Sequence, residues 1–287
     1  MTWRERTVVR DGVRLSCRDG AGAGRAIVLL HGLAGHAGEW GATARHLNSR
    51  HRTVAVDQRG HGASERRPKD VSRAAYVADV VAVIEQLGLH QPVLVGQSLG
   101  GHTAMLTAAA HPDLIGGLVL IEAGPAGSDH SVAAGIGDWF ASWPVPFHSK
   151  DAAVRFLGGG PVGEGWAEGL EERADGWWPR FEPDLMTASL TEVTQRSFWD
   201  EWVRITCPTL AVLGQGGIIP LQEIEEMLRR RPGTTALSIP RTGHDLHLER
   251  PDVLHGALTQ VRPGARGAQP VRPHSAESSS DTARSGG

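Results

Sequence analysis

The chain has 287 residues, 40% of them hydrophobic and 21% charged, with a net charge of −3, an ordinary globular composition. No apolar run approaches the about 20 residues that a membrane span needs. The N-terminus has no signal-peptide core, and outside the C-terminal segment no dense basic stripe marks a nucleic-acid partner. Two cysteines, Cys17 and Cys207, give no disulfide framework, so the expected location is cytoplasmic.

Short apolar runs alternate with amphipathic stretches. Residues 26–30 (AIVLL), 53–56, 92–95 and 118–121 read as strands buried on both faces. Between the second and third lies a helix, with Ser72 as N-cap, Tyr76, Val80, Val83, Ile84 and Leu87 at helical spacing, and Gly88 as its end. The rhythm returns late in the chain: a strand at 209–213, a helix at 221–231 closing on Arg229, Arg230 and Arg231, a strand at 236–239 and a helix at 251–261. This alternation implies an α/β fold, a mostly parallel sheet covered by helices on both faces.

Residues 124–206 break the rhythm and hold twelve of the fifteen aromatic residues, five Phe and seven Trp. They read as an inserted cap with its own aromatic core or an aromatic inner wall. The expected organisation is core at 1–123, cap at 124–206, core again at 207–261 and a disordered tail at 262–287. Val271 is the tail's only large aliphatic residue, too little to offset the entropy of ordering.

Gly96-Gln97-Ser98-Leu99-Gly100 follows a strand and precedes a helical stretch. That is G-x-S-x-G in the context its chemistry needs: a serine on a strained strand-to-helix turn, with free N–H groups and a positive dipole end beneath it. With His31-Gly32-Leu33-Ala34-Gly35 after the first apolar strand, Asp57-Gln58-Arg59-Gly60-His61-Gly62-Ala63-Ser64 after the second, and Gly243-His244 after the last, the chain resembles an α/β-hydrolase over roughly residues 5–261.

The resemblance implies Ser98 as nucleophile, His244 as general base, and an oxyanion hole from the backbone N–H groups of Leu33 and Leu99. His31 would shape its loop, and His36, His102 and His247 would be packing or surface histidines. Asp57 would cap its turn and Arg59 would pair nearby. The family most often carries its acid after the strand at 209–213, where this chain reads Gly214-Gln215-Gly216-Gly217-Ile218-Ile219-Pro220 and has no carboxylate. Some members, certain haloalkane dehalogenases and zearalenone-type lactonases among them, carry it after the preceding strand. Glu122 stands there, so the expected acid is Glu122. The alternatives are a capping role for Glu122, a dyad without an acid, or Asp245.

Serine at position 98 excludes the dehalogenase and epoxide-hydrolase reactions, which need a carboxylate nucleophile. The resemblance therefore implies a serine hydrolase that forms an acyl-enzyme from a carboxylic ester or lactone, without cofactor or metal. The aromatic cap suggests a bulky apolar substrate, with Trp139, Trp143, Trp177 and Trp178 as candidate binding residues. Alternatives on the same site are C–C bond hydrolysis and cofactor-free perhydrolysis or haloperoxidation. An alternative of another class is a ligand-binding homologue that has lost catalysis. The expected partner is a small apolar molecule, not nucleic acid or a membrane.

Overall fold

The computed structural model describes residues 2–258. The 262–287 segment and the end of the helix expected to reach residue 261 lie outside them. In chain order the elements are β1 (Arg4–Arg10), β2 (Val13–Asp19), β3 (Ala26–Leu30), α1 (Gly41–Leu47), β4 (Arg52–Val56), α2 (Arg73–Gln86), β5 (Val93–Gln97), α3 (Leu99–Ala110), β6 (Gly117–Ile121), α4 (His130–Ala141), α5 (Lys150–Phe156), α6 (Gly160–Glu168), β7 (Glu171–Arg173), β8 (Gly176–Trp178), α7 (Pro183–Ser189), α8 (Thr191–Gln195), α9 (Trp199–Arg204), β9 (Thr209–Gly214), α10 (Leu221–Arg230), β10 (Thr234–Ile239), α11 (Leu246–Glu249) and α12 (Pro251–Leu258).

Eight strands form one sheet in the order β1-β2-β4-β3-β5-β6-β9-β10. It is parallel from β4 to β10, while β1 and β2 join antiparallel at one edge. The runs that read as buried strands are its centre, and β3, β5 and β6 are buried throughout. Their side chains alternate between faces. Val28, Leu30, Leu94, Leu118 and Leu120 pack with residues of α2, α3 and α9 on one face. Ile27, Leu29, Val93, Val95, Val119 and Ile121 pack with Ala44, Leu47, Leu254 and Ala257 of α1 and α12 on the other. All the parallel strands therefore end at one rim, where ligands of open α/β sheets bind.

The helix ends follow the sequence signals. Ser72 caps α2, its side chain accepting from the Ala75 N–H. Leu89 and Gly88 N–H groups close it by donating to Ile84 and Glu85 carbonyls. Arg229 and Arg230 pair with Glu226 in the last turn of α10. Outside the inserted segment, β1, β2 and the short α1 and α11 escape the sequence reading. β1 is almost wholly exposed, so no buried-strand signal exists for it; β2 alternates Val13, Leu15 and Cys17 with Arg14, Ser16 and Arg18 and so contains no continuous apolar run, and the seven-residue α1 is too short to show a period.

The segment between β6 and β9 builds its own cluster from Phe140, Trp143, Phe147, Leu157, Leu170, Phe181 and Met186. Phe198 and Trp202 behave differently, joining the main core against the sheet. Part of the aromatic excess in 124–206 thus belongs to the core of the sheet. Several contacts tie the segment back, three of them near the rim. Gly62 N–H donates to the Arg180 carbonyl, the His36 ring meets the Gly165 carbonyl at 3.0 Å, and the Trp166 indole donates to Asp245.

Arg59 and Asp79 form a buried two-pronged pair, with Nε and Nη2 each 2.6 Å from a carboxylate oxygen. Removing one partner leaves an uncompensated buried charge. Asp79→Ala should lose about 3–5 kcal/mol of unfolding free energy in urea titration. Arg67→Ala, which cuts the exposed pairs to Glu182 and Asp184, should lose no more than about 1 kcal/mol.

Candidate active site

The turn from β5 into α3 forces Ser98 to φ +51°, a conformation that costs a non-glycine residue about 1–3 kcal/mol. Tight packing imposes it. A side chain at Gly96 would collide with the Gly100 backbone, and one at Gly100 with the carbonyls of Leu30 and His31. Ser98 N–H is held by the Ile121 carbonyl at 2.9 Å. Leu99 opens α3, so its N–H is one of the helix's unpaired donors. The hydroxyl therefore stands at the rim, half-buried, above a helix N-terminus.

Leu33 belongs to a loop locked by neutral histidines. His31 Nε2 accepts from Gln58 N–H at 3.0 Å, so its Nδ1–H donates to the Gly32 carbonyl at 2.7 Å. His61 Nε2 accepts from Ala34 N–H at 3.1 Å, and its Nδ1–H donates to the Arg59 carbonyl. Burial pushes His31 well below the usual imidazole range and His61 down to about 4. Asp57 stitches two loops together, accepting from Ala37 N–H at 2.6 Å and Ala63 N–H at 3.0 Å. His36 caps the short 3₁₀ turn at Ala37–Trp40.

Beneath this loop Glu39 accepts from His36 N–H, and its other carboxyl oxygen lies 3.2 Å from His247 Nε2. Both side chains are buried. Burial raises the Glu39 carboxyl to about 7 and lowers the His247 imidazole to about 4. Burial thus disfavours a charge on either member of the pair. The pair joins the Leu33 loop to α11, which follows His244. His102 packs edge-on against Phe198 at 4.3 Å, away from the rim.

His244 leaves β10 on a turn fixed by Glu249, which accepts from Gly243 N–H at 2.9 Å, and by Gln97, which donates to the His244 carbonyl at 3.1 Å. Glu122, at φ +48°, sends a buried carboxyl across the end of β9. Its two oxygens accept from Gly214 N–H at 2.7 Å and Ile218 N–H at 2.6 Å. His244 Nδ1 lies 3.7 Å from Oε2 and has no hydrogen-bond partner among the described residues. That is longer than a hydrogen bond. A side chain at Gly217 would fall on the Glu122 carboxyl. Glu122 thus fills the space that an acid after β9 would use. Asp245 turns away, toward Trp166.

Ser98 and His244 open into a pocket of about 590 Å³. Leu33, Ile136, Trp139, Phe156, Trp166 and Ile218 form most of its wall, with Asp245 beside them. Of the four tryptophans singled out from sequence, Trp139 lines it. Trp143 is buried in the aromatic cluster, Trp177 packs against that cluster, and Trp178 is held by Asp175 on the β7–β8 hairpin. These three do not line the pocket, because hydrophobicity alone does not separate a cluster's interior from its cleft-facing side. Sequence reasoning misses Trp166 and Gln97. Only Gln97 carries a signal, its place beside Ser98. Among the described residues no group of His, Cys, Asp and Glu is arranged to hold a metal ion, and no helix is long and apolar enough to cross a membrane.

Residues 27–257 match the family model described as "Alpha/beta hydrolase family". The chain belongs to the alpha/beta hydrolase family. Over 256 residues this alpha/beta hydrolase is 29% identical to the sn-1-specific diacylglycerol lipase of Mus musculus, a match covering 84% of this chain and 82% of that one. It is 26% identical to the 2-(acetamidomethylene)succinate hydrolase of Mesorhizobium japonicum, covering 83% and 88%. A crystal structure of E-2-(acetamidomethylene)succinate hydrolase superposes with a TM-score of 0.84 at 22% identity over 91% of this chain and 99% of that one. The enol-lactonase of Burkholderia xenovorans superposes with 0.73 at 18% over 88% and 98%. At these identities the superpositions establish the shared fold.

The buried neutral histidines fix an acid response. His61 titrates near 6.5 when unfolded and near 4 when folded, so below pH 6.5 the unfolded state binds more protons and stability falls as pH falls. The slope grows from half of 1.36 kcal/mol per pH unit at pH 6.5 toward the full value below it, so His61 alone should remove about 1.5 kcal/mol between pH 6.5 and pH 5. Glu39, raised instead of lowered, acts in the opposite sense. Urea titrations of wild type and His61→Gln at both pH values isolate the His61 share, since the variant should show a shallower pH slope.

Proposed function

We propose that this alpha/beta hydrolase is a serine hydrolase that cleaves a carboxylic ester or lactone bearing a bulky apolar group. Ser98 attacks the carbonyl carbon while His244 takes its proton. The Leu33 and Leu99 N–H groups hold the oxyanion, a contribution of about 2.7–4 kcal/mol per donor. Carbonyl re-formation then expels the alcohol, which leaves with the proton from His244. Water, deprotonated by His244, attacks the acyl-enzyme, and its collapse returns the proton to Ser98 and frees the acid. Glu122 is assigned to orient the His244 ring and to stabilise its charged form.

The observation that carries this reading is the convergence of Ser98, His244 and Leu33 on one apolar pocket, with the Glu122 carboxyl behind His244. The names of the lipase and lactonase among the relatives and neighbours agree with it. The inserted segment acts as a cap, since Val132, Ile136, Trp139, Phe156 and Trp166 all come from it.

A fluorophosphonate probe tests the nucleophile. Wild type should gain one adduct, which peptide mass spectrometry places on Ser98, and should hydrolyse medium-chain p-nitrophenyl esters. Ser98→Ala should keep its fold, take no adduct and lose at least about a thousandfold in kcat. An adduct elsewhere, or full esterase activity in Ser98→Ala, would overturn the assignment.

A further inference from the structure

One wall of the pocket carries a charge. Asp245 follows His244 and lines the cleft together with Ser98 and His244. It stands at the N-cap of α11, where an aspartate usually folds its carboxylate back onto the helix N–H groups. Here the side chain makes no capping hydrogen bond. One oxygen accepts instead from the Trp166 indole of α6 at 3.4 Å, so the carboxylate is fixed between the histidine turn and the inserted segment. Neither lysine nor arginine is among the described residues that line the pocket, and the rest of the wall is mainly aliphatic and aromatic.

A carboxylate in an apolar wall acts over a longer range than one in water, because little solvent screens it. A substrate anion entering the cleft meets that charge and finds no cation. It also gives up its hydration to an apolar surface. A neutral substrate meets neither penalty. Like-charge juxtaposition is a recurrent way for a site to reject the wrong partner.

Building on the hydrolase reading above, we propose that Asp245 is a specificity-determining residue that restricts this cleft to uncharged or cationic esters and rejects anionic ones. The geometry behind it is a carboxylate held on the cleft wall by Trp166, with its own helix left uncapped. Apolar lining alone would disfavour an anion by desolvation. Asp245 adds a repulsion that depends on its charge and can be removed separately.

The test compares two length-matched esters, p-nitrophenyl pentanoate and the mono-p-nitrophenyl ester of glutaric acid, with wild type and Asp245→Asn. Asparagine keeps the acceptor for the Trp166 indole and removes the charge. Wild type should favour the neutral ester by about a hundredfold or more in kcat/KM. The ratio should narrow about tenfold in Asp245→Asn, and in wild type it should shrink as salt is raised. A merely structural role would lower both esters together and leave the ratio in place. Equal use of both esters by wild type would overturn the proposal, as would a ratio untouched by the substitution and by salt. A binding arm on Ser98→Ala protein separates this claim from the hydrolase reading: calorimetry with pentanamide and glutaramate should show the neutral compound favoured. That result without turnover by wild type would uphold charge selection and sink the hydrolase reading, and equal binding would sink charge selection.

Discussion

The carboxyl of Glu122 is the constraint around which this rim is arranged. It leaves the end of β6 at a strained φ, crosses to β9 and accepts the Gly214 and Ile218 N–H groups. Those two bonds hold the β9 loop at one distance from the sheet, so the space above Gly217 is already full. The same carboxyl, carried at the end of β6, lies 3.7 Å from His244 Nδ1. A glycine at 217 is what this arrangement requires, because any Cβ there would displace the carboxyl.

The surrounding loops gain their rigidity from neutral buried groups. His31 and His61 act as paired donor and acceptor inside the loops that flank Leu33, and Glu39 and His247 bridge the Leu33 loop to α11. A charge at any of these places would demand solvation that the interior lacks. The inserted segment is fastened to the same loops through Gly165, Trp166 and Arg180. The pocket wall and the loops that carry Leu33 and His244 are therefore joined by one set of hydrogen bonds.

Much of this is legible in the sequence because it rests on short-range physics. Short continuous apolar runs bounded by turn residues read as strands buried on both faces, and β3, β5, β6 and β9 are that. G-x-S-x-G between a strand and a helix announces the strained turn at Ser98. The loop at Gly214–Pro220, empty of carboxylates, together with Glu122 one strand earlier raises the relocated carboxyl as an expectation. What the sequence hides depends on long-range packing. Nothing local distinguishes Trp139, on the pocket wall, from Trp143, inside the cluster. Nothing marks Trp166 as the partner of Asp245, 79 residues on, or Glu39 as the partner of His247, 208 residues on. β1 sends only Val8 into the core, too little to leave a hydrophobic period.

The central claim is that Glu122 does for His244 what an acid after β9 does elsewhere in the family. The most direct measurement is the second-order rate of fluorophosphonate labelling at Ser98 in wild type, Glu122→Gln, Glu122→Gly and the double variant Glu122→Gly with Gly217→Asp. Glu122→Gln should lose roughly a hundredfold or more, from the wrong imidazole tautomer. Glu122→Gly should lose a similar amount, and adding Gly217→Asp should recover at least about tenfold, since the new carboxyl enters the vacated space. Labelling of Glu122→Gln at the wild-type rate would contradict the claim, as would a double variant no faster than Glu122→Gly.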